Sequence, residues 1–388
     1  MVWCGVTGAW AQAPATKSGA SAAQRSRDAE KAGLAEPFRG IATKDGIERG
    51  LFPVRVSGVT TEPVRVAAAA FLAALTPEQR AKTVYPVNDD EWRKWMNQHF
   101  YVRQGVSFLE MSEAQRTAAF ALMRASLSAK GLQLSQDIMK LNHTLGELNN
   151  HDMVQYGQWL YHITIMGTPS ADKPWGWQID GHHLIINYFV LGDQVVMSPV
   201  FVGSEPVTAH AGKFKGVSIL QEEQAAALAM VRALNPEQRK RAVLEFSKTG
   251  NNNLTEAWKD NVTLDYAGIP AAALTAAQRE QLLKLAARFI DNMDDGHAKV
   301  KMAEVRAHLD RTHFAWIGGD TDDSVFYFRI HSPVVLIEFD HQRPANLRHL
   351  AKDPSLPNRE HIHVVVRTPN GNDYGKDLLR QHLLAHPH

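Results

Sequence analysis

The chain has 388 residues, enough for one large domain or two ordinary ones, and 44% of them are apolar, ample for a sizeable core without disulfide staples. Its 42 basic and 41 acidic residues nearly cancel to a formal charge of +1, which removes any global electrostatic reason for a nucleic acid partner or an anionic membrane surface. No apolar run reaches the roughly 18 residues of a bilayer span, so no membrane span is expected.

The first residues read MVWCGVTGAWAQA, and the Ala9-Trp10-Ala11 step before Gln12 resembles a small-x-small signal peptidase site. Residues 1–11 are therefore read as a signal peptide truncated at its start, since a basic leading region and a full apolar stretch are missing. That reading implies an exported protein, periplasmic or extracellular. Cys4 is the only cysteine and lies within this segment, so the mature chain would hold neither a disulfide nor a thiolate metal site. Residues 12–59, rich in Ala, Ser, Gly and Lys, are read as a linker or disordered arm.

Beyond the arm, phrases recur in a fixed order. Leu75 to Arg80 (LTPEQR) returns as Leu234 to Arg239 (LNPEQR), an offset of 234 − 75 = 159. Met111 to Arg116 (MSEAQR) returns as Leu274 to Arg279 (LTAAQR), an offset of 274 − 111 = 163. In each phrase Thr76, Ser112, Asn235 or Thr275 precedes a Gln by three positions, the pattern of a capping box that satisfies orphan amides at a helix start. Four helix starts are predicted there.

The strand-like parts repeat as well. Trp177 to Tyr188 lies against Phe328 to Phe339, an offset of 328 − 177 = 151, and both read as hairpins broken at Gly181 or at Ser332-Pro333. A short strand precedes each (Trp159 to Gly167, His313 to Gly318) and another follows each (Val195 to Val202, His361 to Thr368). The predicted architecture is α+β, two duplicated helix-helix-antiparallel meander halves, residues 60–215 and 216–388, forming one body.

Period-two alternation then sorts side chains by face. Glu338 and Asp340 share a face with Val334 and Leu336, while Val335, Ile337 and Phe339 take the other; mapped across the repeat, His183 falls on the polar face and His182 on the apolar one. His361 and His363 share a strand face about 7 Å apart, close enough to hold one metal. An adjacent pairing would bring His331 beside them, with Tyr327 and Arg329 on its strand. The metal-ligand candidates are thus His183, His331, His361 and His363, with His182 and Glu205 behind them, and zinc, copper or iron is the expected ion, because imidazole serves these metals when no thiolate is present. Glu338 or Asp340 supplies a base or an oxygen ligand.

The segment Arg367 to Lys376 (RTPNGNDYGK) is loop chemistry leading into a helical stretch, and it does not make a P-loop, because Asp377 stands where Ser or Thr is required. Arg367 and Lys376 are read as catalytic-site cations that bind a substrate anion, with Arg329, Asn370, Asn372, Asp373, Tyr374 and Trp177 as substrate-contacting candidates. Trp177 is more readily a core or sheet-face position than a substrate platform, as such aromatic residues more often are.

Four phrases, WGWQIDGHHL (Trp175 to Leu184), SPVFVGSEP (Ser198 to Pro206), FYFRIHSP (Phe326 to Pro333) and HIHVVVRTPNGNDYG (His361 to Gly375), resemble the family called domain of unknown function 3500, from about Arg65 to the end. The resemblance implies no activity, only that these His-rich phrases are the family's hallmarks. The expectation is an exported protein with a histidine-rich cleft: a metal-dependent hydrolase or oxidase acting on a small, anionic molecule, or a non-catalytic binding protein for a small acidic ligand.

Overall fold

The computed structural model describes residues 21–386; the expected signal segment lies outside the described residues. Helix α1 (Ala22–Gly33) is followed by an extended stretch, and then by α2 (Glu62–Ala74), α3 (Pro77–Ala81), α4 (Glu113–Ser126), α5 (Ala129–Leu148) and α6 (Met153–Tyr156). Two short strands, β1 (Val84–Tyr85) and β2 (Val106–Ser107), are threaded among these helices, and the meander β3 (Tyr161–Met166), β4 (Trp175–Gly181), β5 (Leu184–Leu191), β6 (Gln194–Ser204) follows. The second half runs through α7 (Gln221–Arg232), α8 (Pro236–Ala242), β7 (Val243–Glu245), β8 (Ile269–Pro270), α9 (Ala276–Ile290) and α10 (Asp295–Ala307). It continues into a second meander, β9 (His313–Gly318), β10 (Phe326–His331), β11 (Leu336–His341), β12 (Ile362–Arg367), and closes with α11 (Lys376–Ala385).

All four predicted capping boxes form, at Thr76, Ser112, Asn235 and Thr275, and start α3, α4, α8 and α9. Their glutamines also bond to one another in pairs, Gln79 with Gln115 and Gln238 with Gln278, so one residue type caps a helix and ties two helix starts together. Each half carries more than the two helices expected, because helices such as the four-residue α6 and the 13-residue α10 begin at lone Asp caps (Asp152, Asp294) that no repeated phrase marks.

The strands join in one mixed sheet of order β1-β3-β4-β5-β6-β12-β11-β10-β9-β7, with β2 on β3 and β8 on β9. From either edge the pairings come in the same order: parallel first, then antiparallel throughout the meander. The two meanders meet at β6 and β12, antiparallel, with Val364 opposite Val202.

Both faces of this sheet are buried. One carries Trp177, Ile179, Ile186, Tyr188, Phe328, Ile337, Phe339 and Val364, all at most 3% exposed, and packs on helices: Trp177 Nε1 donates to Ser126 Oγ of α4, and Phe289 of α9 meets Phe328 at 6.0 Å. The other carries Gln178, Asp180, Asn187, Glu338, Asp340, His363 and Arg367, and it is roofed by the loops 86–105 and 246–268 and the segment 368–375. Antiparallel sheets usually expose one face to water; here charged side chains pack under loops instead.

The stretch 21–59 departs from the reading as a linker or disordered arm. Phe38, Ile41 and Phe52 give it apolar anchors, with Ile41 fully buried, and Ala42 pairs with Thr263. Arg39 N donates to Asn261 Oδ1. Composition averaged over the stretch hides three anchors that suffice to seat it. Among the described residues no helix is long and apolar enough to cross a membrane.

Candidate metal centre

Three imidazoles converge where β5, β6 and β12 meet. The Nε2 atoms of His183, His361 and His363 lie 3.2, 3.1 and 3.0 Å from one another. His361 and His363 point the same way because they are two apart at the start of β12. His183 occupies the two-residue turn between β4 and β5, with φ 61, a conformation that L side chains seldom adopt outside functional or strained positions. Its amide donates to Asn97 O and its carbonyl accepts from Gly203 N, which pins the turn over β6. Gly203 is glycine for a reason: a Cβ there would lie 2.2 Å from Ile362 O and 3.4 Å from the His183 ring.

The protons of two of these rings are accounted for. His361 Nδ1 lies 2.7 Å from Arg343 O, a carbonyl that only accepts, so Nδ1 carries the proton and Nε2 presents a lone pair. His363 Nδ1 donates to the Glu256 carboxylate at 2.7 Å, with the same result. Such carbonyl and carboxylate partners are what orient metal-binding imidazoles. Burial, and after it the neighbouring imidazoles, holds His183 and His363 well below the ordinary histidine range, so both are neutral at pH 7. One proton could bridge at most two of the three nitrogens; a metal ion accommodates all three lone pairs. Three imidazoles on a tetrahedral zinc with Zn–N of about 2.0–2.1 Å have nitrogens about 3.3 Å apart, and right-angled sites bring them to about 2.9 Å. The observed triangle falls between these geometries.

The trio opens on a cleft of about 160 Å³ lined by Asn97, Gln98, His99, Phe100, His182 and Asn346. Among the described residues no lysine or arginine lines it. His182 lies with its ring 4.1 Å from that of His183, outside the trio, and its Nδ1 donates to Asn142 Oδ1. Asn142 Nδ2 is committed to Gly157 O, which fixes the amide's orientation. Glu205 is not in the trio either: its carboxylate accepts from the amides of Ala345, Asn346 and Leu347 and comes no nearer to His361 Nδ1 than 3.9 Å. It holds the wall of the cleft.

The structure does not bring the other predicted residues to the trio. His331 is at the far end of β10, with β11 between it and β12; its ring packs on Tyr266 and its Nδ1 has no partner. Asp340 is opposite His363 in register, yet it accepts from Asn252 N and Gln342 Nε2 and pairs with buried Lys248. Glu338 accepts from the amides of Leu254 and Thr255 and from Tyr327 Oη, anchoring the roof loop. Arg367 is fully buried between Asp260 and Asp373, and Lys376 opens α11 with Asp90, Asp89 and Asp260 as the acidic charges acting on it, so the two do not form an anion clamp. Asn370, Asn372, Asp373 and Tyr374 spend their side chains on Pro333 O, Leu378 N, Thr368 N and Asp260 respectively. Arg329 reaches Asp265 O, and Trp177 belongs to the helix-facing core. Glu256, Asn97, His99 and Asn142 are the site residues that the sequence did not disclose; they stand in loops or on a helix with no motif around them.

The isolation of His331 has a measurable consequence. Burial, with Arg329 and His313 adding to it, pushes its imidazole down to about 3. Below pH ~6.5 the unfolded chain takes up a proton that the folded chain refuses, so this histidine removes stability as pH falls towards its folded value. His331→Phe is expected to gain on the parent by about 1.4 kcal/mol per pH unit between pH ~6 and ~4 in urea melts. A difference that stays flat with pH would contradict the assignment.

The model of the family described as protein of unknown function (DUF3500) matches residues 57–376. No curated protein and no solved structure matches the chain.

Proposed function

Because the chain belongs to the DUF3500 family, whose description assigns no activity, we propose from the geometry of the trio that it is a metal-dependent hydrolase. One transition-metal ion is held by His183, His361 and His363, and substrate enters the small cleft above it. The observation that carries this reading is the convergence of three Nε2 atoms within 3.2 Å while the Nδ1 protons of His361 and His363 are committed elsewhere. When bound, an ion with three neutral ligands and no carboxylate would supply undiluted Lewis acidity to a polar oxygen. Oxidative iron sites commonly replace one imidazole with a carboxylate, which favours hydrolysis over oxidation here.

The chain's own groups define the rest. Asn97, Gln98 and Asn346 offer amides to orient a substrate, and His182, its Nδ1 proton engaged by Asn142, turns an unprotonated Nε2 to its surroundings. With no cationic side chain in the lining, the cleft suits a small, polar, uncharged substrate better than the acidic one the sequence suggested. Elemental analysis of protein purified without a histidine tag is expected to find one zinc, copper or iron per chain, together with hydrolysis of small ester or amide probes. Full metal without turnover would favour the binding-protein alternative, and substoichiometric metal would refute the metal-dependent reading while leaving that alternative standing.

Two further readings belong here. We infer that the halves descend from one duplicated unit, supported by the matching capping boxes and by the same order of pairings from each sheet edge. Export rests on the Ala9-Trp10-Ala11 step, and amino-terminal sequencing of the mature protein from its native host tests it.

A further inference from the structure

Next to the histidine trio, across the segment 343–347, lies a larger cavity of about 490 Å³. The segment faces both ways: Arg343 O holds His361, Asn346 lines the small cleft, and Leu347 lines the large cavity. The cavity's floor is apolar, with Leu148 and Leu350 left 37% and 58% exposed beside buried Leu347. Its volume and lining are those of small-molecule sites, which are mostly apolar with a few placed polar groups.

Among the described residues the permanently charged groups of the lining have one sign, although His151 and His210 also line it. Glu147, Glu205 and Glu360 contribute to the lining, and no lysine or arginine among the described residues does. The Lys213 ammonium sits over the Phe214 ring. Glu205 is satisfied by three backbone amides, and Glu360 has only an exposed, 3.6 Å contact with His210. Glu147 accepts from Lys213 N through Oε1, but its Oε2 is buried with no donor. Gly212 packs against that carboxylate so closely that a Cβ would lie 2.0 Å from Oε2, which keeps the carboxylate in place. A buried carboxylate oxygen without a donor is costly unless a ligand supplies one.

We propose that this cavity binds a small amphipathic cation, its hydrocarbon body on Leu148, Leu347 and Leu350 and its ammonium group against Glu147 and Glu360. The site does not rest on the metal reading, since none of these groups is a member of the trio. The test is calorimetric titration of the full chain with octylammonium chloride, sodium octanoate and octanol. Octylammonium is expected to bind saturably at one site, and octanoate is not. Leu350→Lys, at an exposed position where folding is not at stake, and Glu147→Gln are each expected to weaken octylammonium by at least about tenfold, through like-charge repulsion and loss of the ion pair. Absence of saturable octylammonium binding, octanoate binding as tight as octylammonium, or unchanged affinity in both variants would each overturn the proposal.

Discussion

Replacing His363 by alanine is expected to abolish stoichiometric metal binding while leaving the fold intact. The side chain is 8% exposed and emerges near the strand's start, and its loss removes one of three imidazoles without opening the helix-packed core on the opposite face. His183→Ala and His361→Ala are expected to do the same, because the nearby carboxylates are engaged: Glu256 by His363 Nδ1, Glu205 by the amides of residues 345–347, and Asp340 by Lys248 and the roof loop. Glu256→Gln leaves all three ligands but weakens the acceptor that fixes the His363 tautomer, and it should lower metal affinity by about 10–100-fold. Competition with a chromophoric chelator measures the whole series. Equal affinity in the Glu256→Gln variant and the parent would show that His363 is not oriented for a metal.

Arg367→Met is expected to destabilise the fold by about 3–5 kcal/mol, because breaking a buried ion pair strands the remaining charge. Arg367 is fully buried, its Nη1 meets Asp260 at 2.8 Å and Asp373 at 3.2 Å, and its other nitrogens donate to Thr255 O and Glu256 O. Asp260 also receives Arg93 Nε and Tyr374 Oη, so one side chain ties β12 to both roof loops and to the 368–375 segment. Arg367→Lys should recover little, since an ammonium cannot serve four acceptors spread around a planar fork. A shift in urea midpoint at constant slope measures the effect, and a loss below about 1 kcal/mol would contradict this role. Because Glu256 is held by Arg367 through its carbonyl and holds His363 through its carboxylate, the same variant should also loosen the metal.

These two results bear on what the sequence could disclose. Helix starts were legible because a capping box is local: Thr76 and Gln79 satisfy each other's neighbours whatever the rest of the chain does. The trio was legible because period-two alternation assigns faces: it put His183 on the polar side, and His361 and His363 on one shared strand face. His331 carries the same face signal, but alternation says nothing of how far along a neighbouring strand a residue falls, and register set it four residues from Tyr327, the partner of Asp340.

The misread residues share one cause. Arg367, Asn370, Asp373 and Lys376 resemble an exposed anion-binding loop if the polar face of the sheet meets water. That face is roofed by loops 86–105 and 246–268, so its polar groups are internal and find partners in each other. Glu256 and Asn97 sit in that roof, where no periodicity or motif marks a residue's direction. Burial by loops is a long-range property; a sequence shows it only once the partners are known.

The central claim is that His183, His361 and His363 share one metal ion. Anomalous diffraction at the absorption edge of whichever element copurifies with the untagged chain tests it most directly. The expected map has one strong peak about 2.0–2.1 Å from each of the three Nε2 atoms. A map with no peak inside the trio, or with its strongest peak elsewhere in the molecule, would contradict it.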